Sequence, residues 1–242
     1  MYLPDKNTLL QPILIGFCLI ILPGVLTAQD FRSSLERMRA KYEEVKDLHV
    51  EMQVEVFASP GKEESLLKLP VDVRKKGSMM AYEYGQNHML LNSRYLIIVD
   101  GDSEEIICQE RDEDVFARQS GMMAMNIDSI LSYYGQPEYL GREGKLESYR
   151  ITQQAGPVSE MLLTIDSERD VIREIHYTYR EGTYVQIVFS RFDTDPRFPE
   201  DTFSEAKFIQ AGKNGLVPAS RYSGYHLALP EGHIYNNEGD PQ

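Results

Sequence analysis

A two-residue alternation of apolar and polar side chains restricts the folds open to this chain more than any other feature. From Leu48 to Val56 every second residue is apolar and the residues between are polar, and Leu67 to Val73 repeats the pattern. Successive side chains of a β-strand point to opposite faces, so this period predicts strands with one buried face and one solvated face. Short turns separate these runs, which favours an antiparallel sheet.

Further strands are predicted along most of the remaining chain. The first half continues with three shorter stretches (80–84, 89–91 and 95–99) and a fourth at 105–109, all rich in apolar and aromatic residues. The second half resumes at 149–152, 161–165, 171–179, 184–189 and 203–209, with a last short strand over 222–229.

Two segments have the period of a helix instead. Residues 30–46 place Phe31, Leu35, Met38 and Tyr42 on one face, with Asp30 as a possible N-cap. A second helix is predicted in the insert between strands, where Ile127, Ile130, Leu131 and Tyr134 share a face. The element order predicts an α+β domain in which a large antiparallel sheet curls strongly or partly closes. The concave face of such a sheet would be covered by the two helices or by a lipid.

The N-terminus has the features of a secretory signal peptide. An apolar run of about ten residues ends at Pro23, and Ala28 is the small residue expected before a cleavage site. Phe17 before Cys18 does not fit a lipidation signal. We therefore expect a signal peptide over 1–28, one domain over 29–230, a flexible polar tail over 231–242, and a non-lipidated periplasmic protein.

Composition excludes one class of partner and one kind of cross-link. The net charge of −13 repels nucleic acid. After removal of the signal peptide Cys108 is the only cysteine, so no internal disulfide can form and Cys108 is expected to be a small buried residue.

No stretch carries a recognisable catalytic motif. The acidic segments 100–104 and 166–170 are predicted to be hairpin turns, and the five histidines are scattered without partners at metal-ligand spacing. We therefore expect no enzyme, no catalytic residue, no metal site and no cofactor. A site assembled from distant residues, such as that of a hydrolase, stays open.

Several stretches, in order, resemble the periplasmic outer-membrane lipoprotein carrier family, the LolA-like proteins. They are DLHVEMQVEVF, VDVRKKGSMMAYEYG, NHMLLNSRYLIIVDGDSEEIICQE, EMLLTIDSERDVIREIHYTYREGTYVQIVFSRF and PEDTFSEAKF. The resemblance covers roughly residues 30–210 and lies in pattern and order. One departure is the segment Lys75-Lys76-Gly77, where the family often has Arg-Pro.

The resemblance implies a strongly curved antiparallel sheet, an incomplete β-barrel, with helices covering its concave face. It also implies a carrier that binds acyl chains of lipoproteins, or another lipid, in a hydrophobic cavity. We expect this carrier to be a monomer. Its partners would be acylated lipoproteins and the inner- and outer-membrane components that sort them. The inserted helix would be a removable lid. The expected cavity and lid residues are Met80, Tyr82, Tyr84, Met89, Leu91, Ile97, Met123, Met125, Ile127, Ile130, Leu131, Tyr134, Tyr177 and Tyr179. The same fold also serves envelope sensors and scaffolds that act through protein contacts, which is the alternative function.

Overall fold

A computed structural model of the chain describes residues 24–112, 137–153, 156–213 and 215–229. One α-helix, α1 (Gly24–Glu44), precedes the strands. The strands are β1 (Asp47–Phe57), β2 (Leu67–Lys76), β3 (Met79–Tyr84), β4 (Asn87–Leu91), β5 (Tyr95–Asp100), β6 (Glu105–Glu110), β7 (Glu138–Glu143), β8 (Leu146–Thr152), β9 (Val158–Asp166), β10 (Val171–Tyr179), β11 (Tyr184–Asp193), β12 (Ile209–Gly212), β13 (Gly215–Pro218) and β14 (His226–Ala228).

Twelve of these strands form one curved sheet in the order β14-β6-β5-β4-β3-β2-β1-β11-β10-β9-β8-β7. Neighbours are antiparallel except β14, which runs parallel to β6. The edge strands β14 and β7 do not pair with each other, so the sheet is open and no barrel closes. The predicted mostly antiparallel, incompletely closed sheet is therefore confirmed, whereas a covering of the concave face by helices is not shown. No helix in the described part of the chain is both long and apolar enough to span a membrane.

The pairing register divides the sheet into two faces of different chemistry. Directly paired residues of antiparallel strands point to the same side, so Val50, Val73 and Phe192 share one face, and their neighbours Glu51, Asp72 and Arg191 share the other. We call the first the helix face, because α1 packs on it, and the second the opposite face.

Helix α1 packs on the helix face at the β7–β10 end of the sheet. Phe31, Leu35 and Met38 are buried against Tyr149, Ile165 and other residues of β8 and β9. The predicted apolar stripe is therefore the packing surface. The helix starts at Gly24 rather than at residue 30, so Asp30 lies within the helix and is not its N-cap.

The C-terminal segment, residues 198–229, packs on the opposite face over β3–β6. Phe203, Ile209 and Tyr222 form a core there with Leu90, Ile97 and other residues of those strands. The strand predicted over 203–209 is wrong for most of its length, because two short 3₁₀ helices occupy Glu200–Phe203 and Glu205–Lys207. Of the last predicted strand, only His226–Ala228 is extended and paired.

Both acidic tips are turns, as predicted. At the first, Asp100 Oδ1 accepts hydrogen bonds from the backbone N–H groups of Asp102 and Ser103 at 2.9 and 3.2 Å. A Cβ at Gly101 would lie 2.4 Å from Cβ of Gln86 in the neighbouring β3–β4 turn, so only glycine fits at position 101. At the second tip, Asp166 accepts from the N–H of Arg169 and pairs with Lys145 at 3.1 Å.

Three sequence-based predictions lie outside the described residues. They are most of the signal peptide, the inserted helix with its methionines, and the polar tail from 231.

Candidate functional site

The middle of the helix face is a continuous apolar surface. Across β3, β2, β1, β11 and β10 the paired positions on this face carry aliphatic, methionine or aromatic side chains, with a single charged exception, Lys75. Lys75 sits near the end of its strand and donates a hydrogen bond to the carbonyl oxygen of Val45 at 2.9 Å. The centre of the face therefore has no charged side chain that an extended ligand would contact.

Burial across this face is incomplete away from α1. Val50, Val71 and Leu91 are buried, but Met52, Val54 and Tyr82 are only half-buried. Toward the β6 end, Ile98 and Ile107 are 38% and 42% exposed. Aliphatic side chains at paired strand positions are normally covered in a soluble domain, so this part of the face has apolar area still accessible to a ligand.

Most of the described residues predicted to line a cavity lie together on the helix face. Met80 and Tyr82 of β3 pair with Leu91 and Met89 of β4, and Tyr84 follows on the same side. Tyr177 reaches the same face from β10, across β1 and β11. Tyr179 is two residues further along β10, at the end of the strand.

Ile97 does not join this group. It pairs with Leu90 and Cys108 on the opposite face and is fully buried under the C-terminal segment. Its neighbours Leu96 and Ile98 occupy the helix face instead. The run Leu96-Ile97-Ile98-Val99 is apolar on both sides, so alternation alone could not assign Ile97 to a face. The six predicted residues from Met123 to Tyr134 lie outside the described part of the chain.

The rings of Tyr82 and Tyr84 form part of the wall of this face. Their centroids are 6.4 Å apart and their planes are inclined by 16°, which is a stacked arrangement. Burial raises the pKa of Tyr82, and the neighbouring Tyr84 raises it further. The phenol of Tyr82 therefore remains neutral at physiological pH and adds no charge to this face.

The residues that the sequence analysis left out come mainly from β1 and β11. Met52 pairs with Phe189, Val54 with Ile187 and Val56 with Val185, all at the centre of the helix face. The alternation in β1 assigned its residues to a common face. The pairing of β1 with β11, more than a hundred residues later, is not readable from one sequence.

The opposite face is polar where the C-terminal segment does not cover it. Lys68 pairs with Glu55, Arg191 with Glu51 at 3.4 Å, and Arg150 with Glu160 at 3.1 Å. These pairs are solvent-accessible and contribute little stability each. Their position shows that the sheet exposes its charged side here and concentrates its apolar residues on the helix face.

The arrangement on the helix face is chemically suited to binding and not to proton transfer. Near its centre the face presents methyl, methylene, thioether and ring groups, while the histidines 49, 88 and 176 all lie on the opposite face. An apolar surface of this kind selects ligands by removing their hydrocarbon area from water.

Several solved structures are similar to this chain at low sequence identity. The Mycobacterium tuberculosis lipoprotein LppX is 12% identical, with 70% of this chain and 98% of that chain covered and a TM-score of 0.41. A LolA superfamily protein from Nitrosomonas europaea is 11% identical, with 74% and 98% covered and a TM-score of 0.31. MucA/MucB of Pseudomonas aeruginosa gives 12% identity, 76% and 61% coverage and a TM-score of 0.44.

The similar solved structures therefore include a member of the family that the sequence resembles. At TM-scores below 0.5 they supply no argument about what this chain binds. No protein-family model and no curated protein matches the chain.

Proposed function

We propose that this protein is a non-enzymatic carrier of the periplasm that binds the acyl chains of lipoproteins, or of other lipids, on its helix face. The observation that carries the proposal is the apolar, incompletely covered surface that runs across β4, β3, β2, β1 and β11. The signal-peptide pattern of residues 1–28 supports export. The sequence resemblance to lipoprotein carriers makes lipoproteins the first candidates for the ligand.

The dimensions of the face suit a single long hydrocarbon chain. Five adjacent strands at a spacing of about 4.8 Å give a width of about 19 Å, comparable with an extended long acyl chain. Each buried methylene contributes about 0.8 kcal/mol. A chain with about ten methylenes on this surface would gain about 8 kcal/mol before the costs of ordering, enough for reversible capture.

Two neighbouring residues of β11 allow a matched test. Ile187 and Val188 are both aliphatic and half-buried, but Ile187 pairs with Val54 and Ile175 on the helix face and Val188 pairs with Gln53 and Glu174 on the opposite face. Ile187→Gln places an amide under the ligand, and its desolvation costs about 1–3 kcal/mol. Val188→Gln makes the same kind of change away from the ligand.

The measurement is the affinity of both variants for a fluorescent fatty acid, with circular dichroism to confirm the fold. We expect Ile187→Gln to bind about tenfold or more weakly and Val188→Gln to bind as the unchanged protein does. Equal affinities of the two variants would show that the ligand does not bind the helix face. If the unchanged protein bound no acyl probe, the proposed function would be wrong.

The alternative, an envelope sensor or scaffold, is favoured by one edge of the sheet. Among the described residues β7 pairs only with β8, and its Tyr139 and Leu140 are 36% and 42% exposed. An exposed edge strand can accept a strand from a protein partner. Capture from envelope extracts of one protein at equal stoichiometry and without lipid would favour this function, particularly if Leu140→Lys abolished the capture.

A further inference from the structure

Three potential metal ligands meet on the opposite face where β1 pairs with β2. His49 and Glu51 are two residues apart on β1 and point to the same side, and Glu51 is paired with Asp72 of β2. One ligand atom from each residue lies within 4.8 Å of the others. The scattered positions of the histidines along the chain gave no metal-ligand spacing, because the third residue comes from a neighbouring strand.

Two of the three separations between these atoms match those around a small transition-metal ion. Nε2 of His49 is 3.3 Å from Oε1 of Glu51 and 3.2 Å from Oδ1 of Asp72. With metal–ligand bonds of about 2.0–2.1 Å, neighbouring ligands of a tetrahedral ion are about 3.3 Å apart. The carboxylate oxygens of Glu51 and Asp72 lie within 4.8 Å of each other, so binding such an ion would require them to approach by at most about 1.5 Å.

Both carboxylate oxygens of Asp72 lie near His49, with Nε2 at 3.2 Å from Oδ1 and 3.3 Å from Oδ2. Arg74 donates to Oδ2 through Nη2 at 2.6 Å. Oδ1 is buried and accepts no hydrogen bond. A buried carboxylate oxygen without a donor is costly, and a cation bound at Oδ1 would satisfy it.

The side chains around the cluster also carry an excess of negative charge, which favours binding of a cation. The network that joins these residues has four carboxylates, from Glu51, Asp72, Glu83 and Asp193, and two guanidinium groups, from Arg74 and Arg191. These carboxylates and guanidinium groups leave two negative charges in excess, the charge that a divalent ion neutralises.

A cavity of about 460 Å³ opens next to the cluster. Its lining includes Glu51, Asp72 and Glu83, together with Gln53 and Ser190. Three protein ligands with a water-accessible fourth position is the arrangement of zinc sites that bind an exogenous molecule. The cavity gives water, or a small anionic ligand, access to that position.

We propose that His49, Glu51 and Asp72 form a binding site for a divalent transition-metal ion, with Zn²⁺ as the best match. The imidazole nitrogen favours zinc over Ca²⁺ and Mg²⁺, which take oxygen ligands. Phe198 of the C-terminal segment packs near the ring of His49, with centroids 6.0 Å apart, and helps to fix its orientation.

The competing explanation is a protonated His49 that bridges the two carboxylates without any metal. Titration calorimetry of the purified, chelator-treated protein with zinc chloride separates the two. We expect one Zn²⁺ per chain, bound at least tenfold more tightly than Ca²⁺ or Mg²⁺, and a tetrahedral absorption spectrum when Co²⁺ replaces it. Absence of a stoichiometric zinc site would overturn the proposal.

Variants locate the site within the protein. His49→Ala and Glu51→Gln should each weaken zinc binding at least tenfold. His176→Ala is the matched control, because His176 lies on the same face and, among the described residues, pairs with a single carboxylate, Glu174, at 3.3 Å. Zinc binding unaffected by both cluster variants, or lost equally in the control, would also overturn the proposal. If His49→Ala does not fold, Glu51→Gln still tests the site, because the Glu51 side chain is 42% exposed and its replacement should not unfold the protein.

Discussion

The side-chain amide of Asn92 donates a hydrogen bond to Oε2 of Glu205 at 2.7 Å, joining the β4–β5 turn to the C-terminal segment. The same amide donates to the carbonyl oxygen of Phe203 at 3.3 Å. Its own oxygen accepts the backbone N–H groups of Arg94 and Tyr95, both at 2.8 Å. One buried side chain thus satisfies four polar groups from two parts of the chain.

Replacing Asn92 by Ala should therefore destabilise the protein strongly. It leaves buried donors and acceptors without partners, which costs about 1–3 kcal/mol for each such group, so we expect the free energy of unfolding to fall by about 3 kcal/mol. Arg94→Ala is the control, because this side chain pairs with the same Glu205 at 3.3 Å but is 66% exposed and should cost less than about 1 kcal/mol. Chemical denaturation measures both; equal losses would mean that Asn92 does not fasten the segment.

The Tyr82–Tyr84 stack gives a second prediction, on ligand affinity. Tyr82→Ala removes a half-buried ring from the wall of the helix face. Its affinity for a fluorescent fatty acid should fall by about tenfold, since an aromatic contact contributes about 0.5–1.5 kcal/mol beyond its buried area. Tyr184→Ala is the matched control: this ring lies on the opposite face, near Phe57 and His176. It should change stability but not affinity.

A third prediction concerns how strongly the packing of α1 on the sheet stabilises the protein. Met38 is fully buried against β8 and β9, and Arg37 pairs with Asp170 at 2.8 Å in the β9–β10 turn. Met38→Ala should lower the free energy of unfolding by about 2–5 kcal/mol, as in a rigid core. Arg39→Ala, at an exposed position of the same helix, should change it by less than about 0.5 kcal/mol. A small loss in Met38→Ala would mean that α1 is weakly docked and could itself move aside for a ligand.

The fourth prediction is a loss of stability in alkali. Burial, together with the charges of Glu110 and Glu205, raises the pKa of Cys108 from 9.0 to about 11. The folded protein therefore holds the thiol proton more tightly than the unfolded chain does. The resulting stability is fully present below pH 9 and is lost as the pH rises through about 11.

The measurement is the free energy of unfolding between pH 8 and pH 11 for the unchanged protein and for Cys108→Ala. The variant will start from a lower value because it leaves a small cavity. Its decline with pH should be smaller by on the order of 2 kcal/mol. Parallel curves for the two proteins would show that the thiol does not ionise differently on folding.

The sequence predicted the parts of the fold that depend on local periodicity. Alternation placed Val50 and Val54 on one side of β1, and the 3.6-residue spacing identified Phe31 and Met38 as the buried side of α1. Both hold because side-chain direction in a strand or helix follows from the backbone. The turns at Asp100 and Asp166 were equally readable, since short polar residues there bond to their own backbone.

What the sequence could not supply was pairing over long distances. The contact of β1 with β11 places Ile187 beside Val54, and the contact of β1 with β2 places Asp72 beside His49. Neither register is encoded locally. The 3₁₀ helices over 200–207 were also missed, because the apolar residues Phe203 and Phe208 anchor a segment whose course is set by the surface that it covers.

The proposed function requires an apolar ligand that binds the helix face, and photo-crosslinking tests this most directly. A fatty acid with a diazirine near its methyl end would be bound, irradiated and located by mass spectrometry of the digested protein. We predict labels on helix-face residues of β1, β3 and β11, such as Met52, Tyr82 and Ile187, and competition by unlabelled fatty acid. Labels confined to the opposite face or to residues 198–229, or spread evenly over the surface without competition, would contradict it.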